Sequence, residues 1–412
     1  MHYTDSTDIK EQNQISTKQR PIRILHVVGG MNRGGVETWL MHVLRHIDRD
    51  RFQMDFLVHT TEPCPYDDEA RALGSKIIPC LDASKPWLYG RHFKRILREY
   101  GPYDIVHSHV HHFSGYVLYL AKQAGIAVRI AHSHNNTSSA EAKAGLYRRF
   151  YLTLMKWLIA RYATVGLGCS RKAASDLFKP SWEKDPRWQI LYYGIDLTSF
   201  REPLDAIALR TELGIPANAF VIGHAGRFEK QKNHVFLLEI AVEVVKREPK
   251  MYLLLLGQGS LRAEIEQKAI DLGLRDRIIF AELRSDVPRL MLGVMDLFLL
   301  PSLHEGLPVV GIEAQAAGLP FILSDVITEE LDLVKPLIQR ISLSQPASEW
   351  AEAILVLPNI ASVLSPSEAL MLVENSHFNI QVSVKQLAKI YQISTAQQQK
   401  ALTTKTSTDE FC

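Results

Sequence analysis

The chain has 412 residues, of which 46% are hydrophobic and 22% charged, and its formal net charge is +2. This length exceeds what one ordinary hydrophobic core accommodates, so the sequence predicts a folded protein of two domains. The near-neutral charge excludes a global nucleic-acid-binding signature, and we expect no nucleic-acid partner.

The four cysteines (Cys64, Cys80, Cys169 and Cys412) are scattered and include no Cys-x-x-Cys pair, which argues against a disulfide framework and against a zinc site. The segment from Met1 to Arg20 is polar and lacks the apolar core of a signal peptide. No apolar run approaches the roughly 20 residues of a membrane span. We therefore expect a cytoplasmic protein with a disordered N-terminal tail over residues 1–20.

From Pro21 onward, short apolar runs rich in β-branched residues alternate with amphipathic stretches, a pattern that predicts β-α-β units on a parallel sheet. In the first half the predicted strands are Ile22–Val28, Met54–His59, Lys76–Pro79, Asp104–His107, Ala127–His132 and Thr164–Cys169. Helical spacing of apolar residues predicts a helix over Val36–Ile47.

The same alternation restarts in the second half of the chain. The predicted strands there are Ala219–His224, Met251–Leu256, Arg277–Phe280, Leu297–Leu300, Pro320–Leu323 and Leu337–Ser342. Two such sets indicate an α/β protein with two Rossmann-like domains.

The predicted domains are residues 21–195 and 217–378. Between them, residues 196–216 carry Pro203 and Pro216 with few strand signals, which is typical of a linker. We expect a helix over residues 379–395 to cross back to the first domain, and residues 396–412 to form a disordered tail.

Open α/β sheets bind ligands beyond the carboxyl ends of their strands, so loops directly after strands are candidate sites. The first such loop contains Gly29, Gly30, Gly34 and Gly35 and precedes a helix. Glycines allow close backbone approach, and a helix N-terminus offers free N–H groups to an anion. The alternative is a tight turn without a ligand. The spacing is not Gly-x-Gly-x-x-Gly, which makes a dehydrogenase an unlikely interpretation.

The second loop runs from Gly226 to Asn233 and contains Arg227 and Lys232. A guanidinium fork and a point charge on one side of a loop suit a diphosphate, although basic side chains in loops are usually only solvated.

The third loop and its helix span His304 to Pro320. Pro308 suits the first helical position and Gly318 the C-terminal cap. Glu305 lies in the entry to this helix and Glu313 inside it. A carboxylate among small apolar neighbours requires a partner, for which ribose hydroxyls are suitable, whereas the alternatives are a solvated helix face or a carboxylate stabilising the helix dipole.

Glu305 and Glu313, after Leu-Pro-Ser-Leu-His and before Ala-x-Ala-x-Gly-x-Pro, resemble the signature of the retaining glycosyltransferases of family 4. Further motifs agree in order and spacing: Gly29-Gly30 to Glu37-Thr38, Gly194-Ile195-Asp196, Gly226-Arg227 to Lys232-Asn233, Gly257-Gln-Gly259 and Arg284-Ser-Asp286-Val287. The resemblance covers roughly Pro21 to Tyr391 and is greatest to enzymes of bacterial exopolysaccharide assembly.

The resemblance implies a GT-B fold, in which two Rossmann-like domains face each other across a cleft. The second domain would hold a nucleotide-sugar donor and the first an acceptor. Arg227 and Lys232 would neutralise the diphosphate with no metal cofactor. Glu305 would contact the transferred sugar and Glu313 the ribose.

The remaining site residues also follow from the resemblance. His109 would reach the donor sugar near its anomeric centre and act with Arg227, Lys232 and Glu305 in catalysis, while His134 would lie on the acceptor side. His111 and His112 are weaker candidates. The predicted donor-binding residues are Gly29, Gly30, Gly34, Gly35, Arg284, Gly306, Leu307, Pro308, Val309 and Glu313.

Two positions depart from the family pattern. Tyr193 replaces the usual Asn before Gly-Ile-Asp, and Ala281-Glu282 replaces Leu-Gly before the expected base-binding loop, Leu283 to Asp286. The second departure leaves the base open between UDP and GDP, of which we prefer UDP.

The predicted function is therefore metal-independent, retaining transfer of a hexose from a UDP-sugar to a glycan or lipid-linked acceptor. Two alternatives remain: a catalytically silent module that binds nucleotide-sugar or glycan, and a sugar-nucleotide epimerase of the same fold.

Basic and aromatic residues occur together in two segments of the first half, Trp87 to Arg95 and Tyr147 to Trp157. Such segments are typical of a surface that lies against anionic lipid, and predict peripheral association with the inner face of the plasma membrane. The alternative is that these helices pack their aromatic side chains inward.

Overall fold

The structure is a computed structural model that describes residues 20–135, 145–282, 284, 286–361 and 364–409. The tail expected over residues 1–20 lies outside the described residues, apart from Arg20. Within the described part of the chain, no helix combines the length and the hydropathy of a membrane-crossing segment.

The first domain is a seven-stranded parallel sheet with helices between its strands. Its strands are β1 (Ile22–Val28), β2 (Phe52–Val58), β3 (Ile77–Pro79), β4 (Ile105–Ser108), β5 (Val128–Ser133), β6 (Val165–Gly168) and β7 (Trp188–Ile190), in the spatial order β3-β2-β1-β4-β5-β6-β7. Its helices are α1 (Gly35–His46), α2 (Asp67–Ala72), α3 (Pro86–Tyr100), α4 (Ser114–Gln123), α5 (Leu146–Tyr162) and α6 (Arg171–Phe178).

The second domain is a six-stranded parallel sheet of the same kind. Its strands are β8 (Phe220–Ala225), β9 (Met251–Leu256), β10 (Ile278–Ala281), β11 (Leu297–Leu300), β12 (Phe321–Ser324) and β13 (Ile338–Ile341), in the order β10-β9-β8-β11-β12-β13. The helices are α7 (Ala206–Glu212), α8 (His234–Val245), α9 (Arg262–Asp271), α10 (Val287–Gly293), α11 (Val309–Ala316), α12 (Ala347–Ala361) and α13 (Pro366–Glu374), followed by α14 (Ile380–Asp409).

The prediction of two parallel sheets is confirmed, and every predicted strand is present with its ends within two residues of the predicted bounds. The strands read as continuous apolar runs because helices cover both faces of a parallel sheet. In β9, for example, five of the six residues are buried. Strand β7 was not predicted, since its residues, Trp188, Gln189 and Ile190, form no continuous apolar run.

The segment predicted as a linker contains a short helix, α7. Asp205 caps this helix by accepting a hydrogen bond from the backbone N–H of Ala208 at 3.0 Å, and Leu209 is buried where α7 packs against α10. The two prolines that suggested a linker, Pro203 and Pro216, flank the helix and set its limits.

The C-terminal helix α14 packs against α1 of the first domain. Its entry passes Gly194, where an added Cβ atom would lie 2.5 Å from the Cα atom of Ile380, so only glycine permits this close crossing. Farther along, the Tyr391 hydroxyl contacts His107 Nδ1 at 2.9 Å. The helix continues to Asp409, past the expected end at residue 395, although the added residues carry no apolar periodicity.

Candidate functional site

A cavity of about 880 Å³ lies between the carboxyl edges of the two sheets. Its size falls within the range of small-molecule sites. All the site residues predicted from the sequence line it: Gly29, Gly30, Gly34, Gly35, His109, His134, Arg227, Lys232, Arg284, Glu305, Gly306, Leu307, Pro308, Val309 and Glu313. The fold thus brings together loops that are up to about 280 residues apart in the chain, because parallel strands place their carboxyl ends on one edge.

The glycine-rich loop connects β1 to α1. Gly34 is the N-cap of α1, where an added Cβ atom would meet the end of the Glu37 side chain and displace that carboxylate. Gly29 and Gly35, by contrast, have no atom within 4 Å of an added Cβ atom, which leaves room for a ligand to approach the backbone.

Arg227 and Lys232 follow β8 and differ in their surroundings. Arg227 is exposed in the cavity, and the described residues give its guanidinium no ion pair. Glu37 of the first domain is close enough for attraction to Arg227 to favour its ionised form, although burial dominates and raises the pKa of Glu37. Arg227 therefore presents its positive charge to the cavity.

Lys232 is paired with Glu305. Its Nζ atom lies 2.6 Å from Glu305 Oε1, and the two side chains are only 15% and 8% exposed. Gln231 Nε2 donates to the other carboxylate oxygen, Oε2, at 3.0 Å and to the backbone carbonyl of His304 at 2.9 Å. This network holds Glu305 in one orientation. Lys232 is therefore ion-paired with a protein carboxylate in the absence of a ligand.

Glu313 faces the cavity from the second turn of α11. Burial raises the pKa of its carboxyl to about 7. Val309 and Val310, at the N-terminus of this helix, line the same cavity, and N–H groups at a helix N-terminus are suited to an anion. The helix begins at Val309 with Pro308 as its N-cap, so the prediction that Pro308 is the first helical residue was wrong by one position.

Arg284 lines the cavity next to the expected base-binding loop, of which Leu283 and Ser285 lie outside the described residues. Its guanidinium donates to Asp286 and to Glu212, with the Asp286 contacts at 2.7 and 2.8 Å and the Glu212 contact at 2.9 Å. These bonds raise the pKa of Arg284. Two carboxylates already neutralise this cation, so its role differs from that of Arg227.

On the first-domain side, both ring nitrogens of His109 have partners. His109 Nε2 contacts His26 Nδ1 at 2.9 Å, and His109 Nδ1 contacts His134 Nε2 at 2.8 Å. His134 Nδ1 in turn contacts the Tyr193 hydroxyl. Burial lowers the pKa of His109 well below its usual value, with repulsion from neighbouring histidines adding to the effect. The ring is therefore neutral, and neither of its nitrogens is free for a ligand.

Five buried histidines meet here, and two overlapping triads bring ring nitrogens within 4.8 Å of one another, as a metal site would require: His26, His107 and His109, and His109, His132 and His134. Apart from His26 Nε2 and His132 Nε2, the nitrogens lie at hydrogen-bonding distance from each other or from tyrosine hydroxyls. A network of neutral rings accounts for the cluster.

The weaker candidates lie at the edge of this group. His111 has a positive φ of 49° and its Nε2 atom is 3.4 Å from Asp176 Oδ2. His112 is buried and does not line the cavity.

Sequence reasoning missed four residues that the fold brings to the site: His26, Glu37, Tyr193 and Gln231. Glu37 and Tyr193 belong to motifs that the sequence analysis named, and Gln231 lies between two predicted cations. His26 has no such signal, since a single histidine inside a strand gives no indication of its partners.

Two families match the chain: "Glycosyltransferase Family 4" over residues 33–199 and "Glycosyl transferases group 1" over residues 205–359. The chain is 39% identical over 335 residues to the protein named as glycosyltransferase EpsF in Bacillus subtilis (strain 168), covering 81% of this chain and 86% of the relative. It is 26% identical over 319 residues to the Escherichia coli UDP-Gal:alpha-D-GlcNAc-diphosphoundecaprenol alpha-1,3-galactosyltransferase, covering 74% and 80%.

Solved structures agree on the fold. Anabaena Alr3699/HepE in complex with UDP-glucose superposes with a TM-score of 0.73 at 19% identity, covering 89% of this chain and 98% of that one. WaaG, a glycosyltransferase involved in lipopolysaccharide biosynthesis, gives 0.69 at 18% identity, covering 89% and 99%. The predicted GT-B fold is confirmed, and the chain belongs to glycosyltransferase family 4, among the glycosyltransferases of exopolysaccharide type.

Proposed function

We propose that this glycosyltransferase moves a hexose from a UDP-sugar to a glycan or lipid-linked saccharide acceptor, retains the anomeric configuration and needs no metal ion. The observation that carries the proposal is the convergence of Arg227, Lys232, Glu305 and Glu313 on one cavity between the two domains. These groups provide the charges that a nucleoside diphosphate sugar requires.

The leaving diphosphate gains negative charge as the glycosidic bond breaks. Fixed positive groups that face this charge lower the barrier without reorganising. Arg227 is exposed in the cavity, and the free N–H groups of α11 add the positive end of a helix dipole. Lys232 lies between Glu305 and the cavity, so a bound diphosphate would share its charge with that carboxylate.

Glu305 and Glu313 have positioning roles in this proposal. Glu305, oriented by Gln231 and Lys232, would accept hydrogen bonds from hydroxyls of the transferred sugar. Glu313 would accept from the ribose hydroxyls in its ionised form, which they stabilise. His109 would contribute the face or edge of its ring rather than a nitrogen, since both nitrogens are engaged.

The choice of UDP is supported by related proteins. HepE was solved with UDP and with UDP-glucose, and the name of the E. coli relative gives UDP-galactose as its donor and a diphosphoundecaprenol-linked sugar as its acceptor. The acceptor class proposed here follows the same relative and the capsular polysaccharide biosynthesis glycosyltransferase CapH of Staphylococcus aureus, 25% identical over 382 residues.

A thermal-shift screen tests the donor. UDP, three UDP-sugars (glucose, galactose and N-acetylglucosamine) and the matching GDP compounds are compared, each with and without EDTA. A ligand at about 100 times its Kd stabilises the native state by about 2.7 kcal/mol. We expect stabilisation by UDP compounds that EDTA leaves unchanged. Stabilisation by GDP compounds alone would contradict the base assignment, and loss with EDTA the metal independence.

Turnover tests the remaining parts. With a saccharide acceptor and the donor found in the screen, we expect a product whose anomeric configuration equals that of the donor, measured by NMR couplings of the new linkage. An inverted product would refute retention. A sugar-nucleotide converted without any acceptor would favour the epimerase.

We also propose that helix α5 associates with anionic membrane surfaces. Its outward face exposes Tyr147, Phe150 and Trp157, which are 88%, 69% and 56% exposed, while Leu152 and Met155 are buried on the other face. The helix contains four basic residues and no acidic one. Exposed aromatic rings among basic side chains are suited to a lipid headgroup region. The alternative, in which these aromatics pack inward, is wrong for α5.

Sedimentation with vesicles of phosphatidylserine and phosphatidylcholine tests this surface. We expect binding at low salt that weakens as salt screens the basic residues. The triple variant Tyr147→Ser, Phe150→Ser, Trp157→Ser should lose it. Ile207→Ser, which removes an apolar side chain that is 72% exposed in α7 of the second domain, is the control and should bind unchanged. Equal binding by both variants would refute the role of α5.

A further inference from the structure

The histidine chain consists of His26, His109, His134 and Tyr193, linked in that order by hydrogen bonds. His26 lies on β1 and does not line the cavity, whereas the other three members do. The chain therefore runs from the core of the first domain to the cavity. The order of its donors and acceptors determines which ring nitrogens of His109 and His134 carry a proton.

Each histidine of the chain carries one N–H group. Burial lowers the pKa of His26 and of His134 to about 3, and lowers that of His109 well below its usual value, so all three rings are neutral near pH 7. A neutral imidazole donates through one nitrogen and accepts through the other. Once the protonated nitrogen of one ring in the chain is known, the protonated nitrogens of the other rings follow.

The far end of the chain is the Tyr193 hydroxyl, which contacts His134 Nδ1. A hydroxyl both donates and accepts, so this end is compatible with an N–H group on His134 Nδ1. Nearby, Cys169 Sγ lies 3.5 Å from the backbone oxygen of His134, which only accepts, so the thiol donates to it.

The near end sets the direction of the chain. His26 Nε2 is buried and has no hydrogen-bond partner within the described part of the structure. Buried N–H groups without an acceptor are rare because they lose a full hydrogen bond to water, so Nε2 carries the lone pair. The proton of His26 is then on Nδ1, from which it is donated to His109 Nε2.

The chain lies close to the second domain at His134. An added Cβ atom on Gly306 would lie 1.9 Å from the carbonyl oxygen of His134, so the loop that carries Glu305 packs directly on the backbone of His134. The position of His134 therefore affects where this loop can lie.

From these contacts we propose that His26 and Tyr193 are positioning residues of the donor site. They hold His109 and His134 as neutral Nδ1–H tautomers, and thereby fix the surface on which the Glu305 loop closes. The tautomer assignment rests on the hydrogen-bond geometry of the buried, neutral rings, whereas its consequence for transfer rests on the function proposed above.

The assignment is tested by long-range ¹H–¹⁵N spectra of the full chain with ¹⁵N-labelled histidine at pH 7. Signals are assigned by single substitutions. We expect His26, His109 and His134 each to carry the proton on Nδ1. A proton on Nε2 in any of the three would overturn the proposal, whatever the activity of the protein.

Two substitutions at the start of the chain separate donation from packing. In His26→Asn, the side-chain amide can replace the Nδ1–H donor, and we expect the tautomers of His109 and His134 to persist. In His26→Phe the ring remains but the donor is lost, and we expect both histidines to become tautomer mixtures. Unchanged tautomers in His26→Phe would overturn the role of His26, and if that variant does not fold, the spectra of the unmodified chain decide.

The consequence for transfer is measured with the UDP-sugar that stabilises the protein most in the screen. We expect His26→Phe to lower kcat at least about tenfold with little change in donor KM, because misplaced groups lose rate more than binding. His26→Asn should retain most of kcat. His132→Phe, on the neighbouring chain of His132, His107 and Tyr391 that does not reach the cavity, is the control and should leave kcat largely unchanged. Equal kcat in all three variants would overturn the positioning role, whereas failure of every UDP-sugar to bind would instead refute the proposed function.

Discussion

The two sides of the cavity meet the ligand in different ways. On the first-domain side, neutral histidines satisfy one another, and the ring nitrogens of His109 are both engaged inside the protein. On the second-domain side, Arg227 forms no ion pair within the described residues, the half-buried Glu313 carboxyl has a raised pKa, and Lys232 is bound to a single carboxylate. One side is complete without a ligand, whereas the other gains its best partners only when a ligand binds.

The first-domain side therefore provides a surface of fixed shape, and the second-domain side provides charged groups. The hydrogen-bonded side can hold a fixed surface because no member needs an outside partner. The charged side keeps unsatisfied groups aimed at the cavity, and such groups contribute most when a developing charge appears next to them. Substitutions on the two sides should therefore differ in kind as well as in size.

The largest effect is expected from the ion pair of the charged side. Lys232→Ala removes a cation from the diphosphate and leaves the Glu305 carboxylate buried without its partner. We expect turnover to fall at least about a hundredfold, a barrier increase of about 2.7 kcal/mol, and the same for Glu305→Ala. Lys230→Ala is the matched control, since Lys230 is exposed in the same loop and does not line the cavity. Unchanged turnover in Lys232→Ala would refute the assigned role.

A smaller effect is expected where the two sides touch. In Gly306→Ala the new Cβ atom would lie 1.9 Å from the His134 carbonyl oxygen, so the Glu305 loop must move away from the first domain. We expect kcat to fall at least about tenfold because the reacting groups separate. Gly145→Ala, whose Cβ atom meets nothing within 4 Å, should retain full activity. If both variants have the kcat of the unmodified protein, the contact between Gly306 and the His134 carbonyl oxygen does not contribute to positioning the Glu305 loop.

The smallest effect is a pH dependence of donor binding that arises from Glu313 on the charged side. Glu313 has a pKa of about 7, and donor binding through its ionised form releases the proton. Affinity for a UDP-sugar should therefore rise about tenfold from pH 6 to pH 8, in proportion to the ionised fraction. A UDP-sugar is preferable to UDP as the titrant, because its diphosphate lacks a terminal phosphate that titrates near neutrality. Calorimetry in two buffers measures both affinity and proton release.

The control for this titration is Glu313→Gln, whose affinity should not vary over the same range. A steep profile in that variant would assign the proton to another group. The histidine side should not contribute, since the pKa values of His26 and His134 are near 3. In the free protein the sign is opposite: the native state holds the Glu313 proton more tightly than the unfolded chain, so stability falls as pH rises from about 4.5 to about 7.

The sequence by itself determined the strands, the loops after them and the residue types of the charged side. Strands such as β9 and β11 are recognisable because a parallel sheet buried on both faces demands apolar runs. Arg227 and Glu305 stand beside glycines in loops that follow strands, and Lys232 and Glu313 belong to the same two segments, so the sequence alone indicated these four residues.

Only the tertiary structure decided which side chains meet. Gln231 and Glu305 are 74 positions apart, and His107 and Tyr391 are 284 positions apart, yet each pair is within hydrogen-bonding distance. The role of His26 depends on three partners from other strands and loops, and no local pattern encodes such a set. Residue type follows from local physics and is written in the sequence, whereas the pairing of buried polar groups depends on how the strands and helices pack.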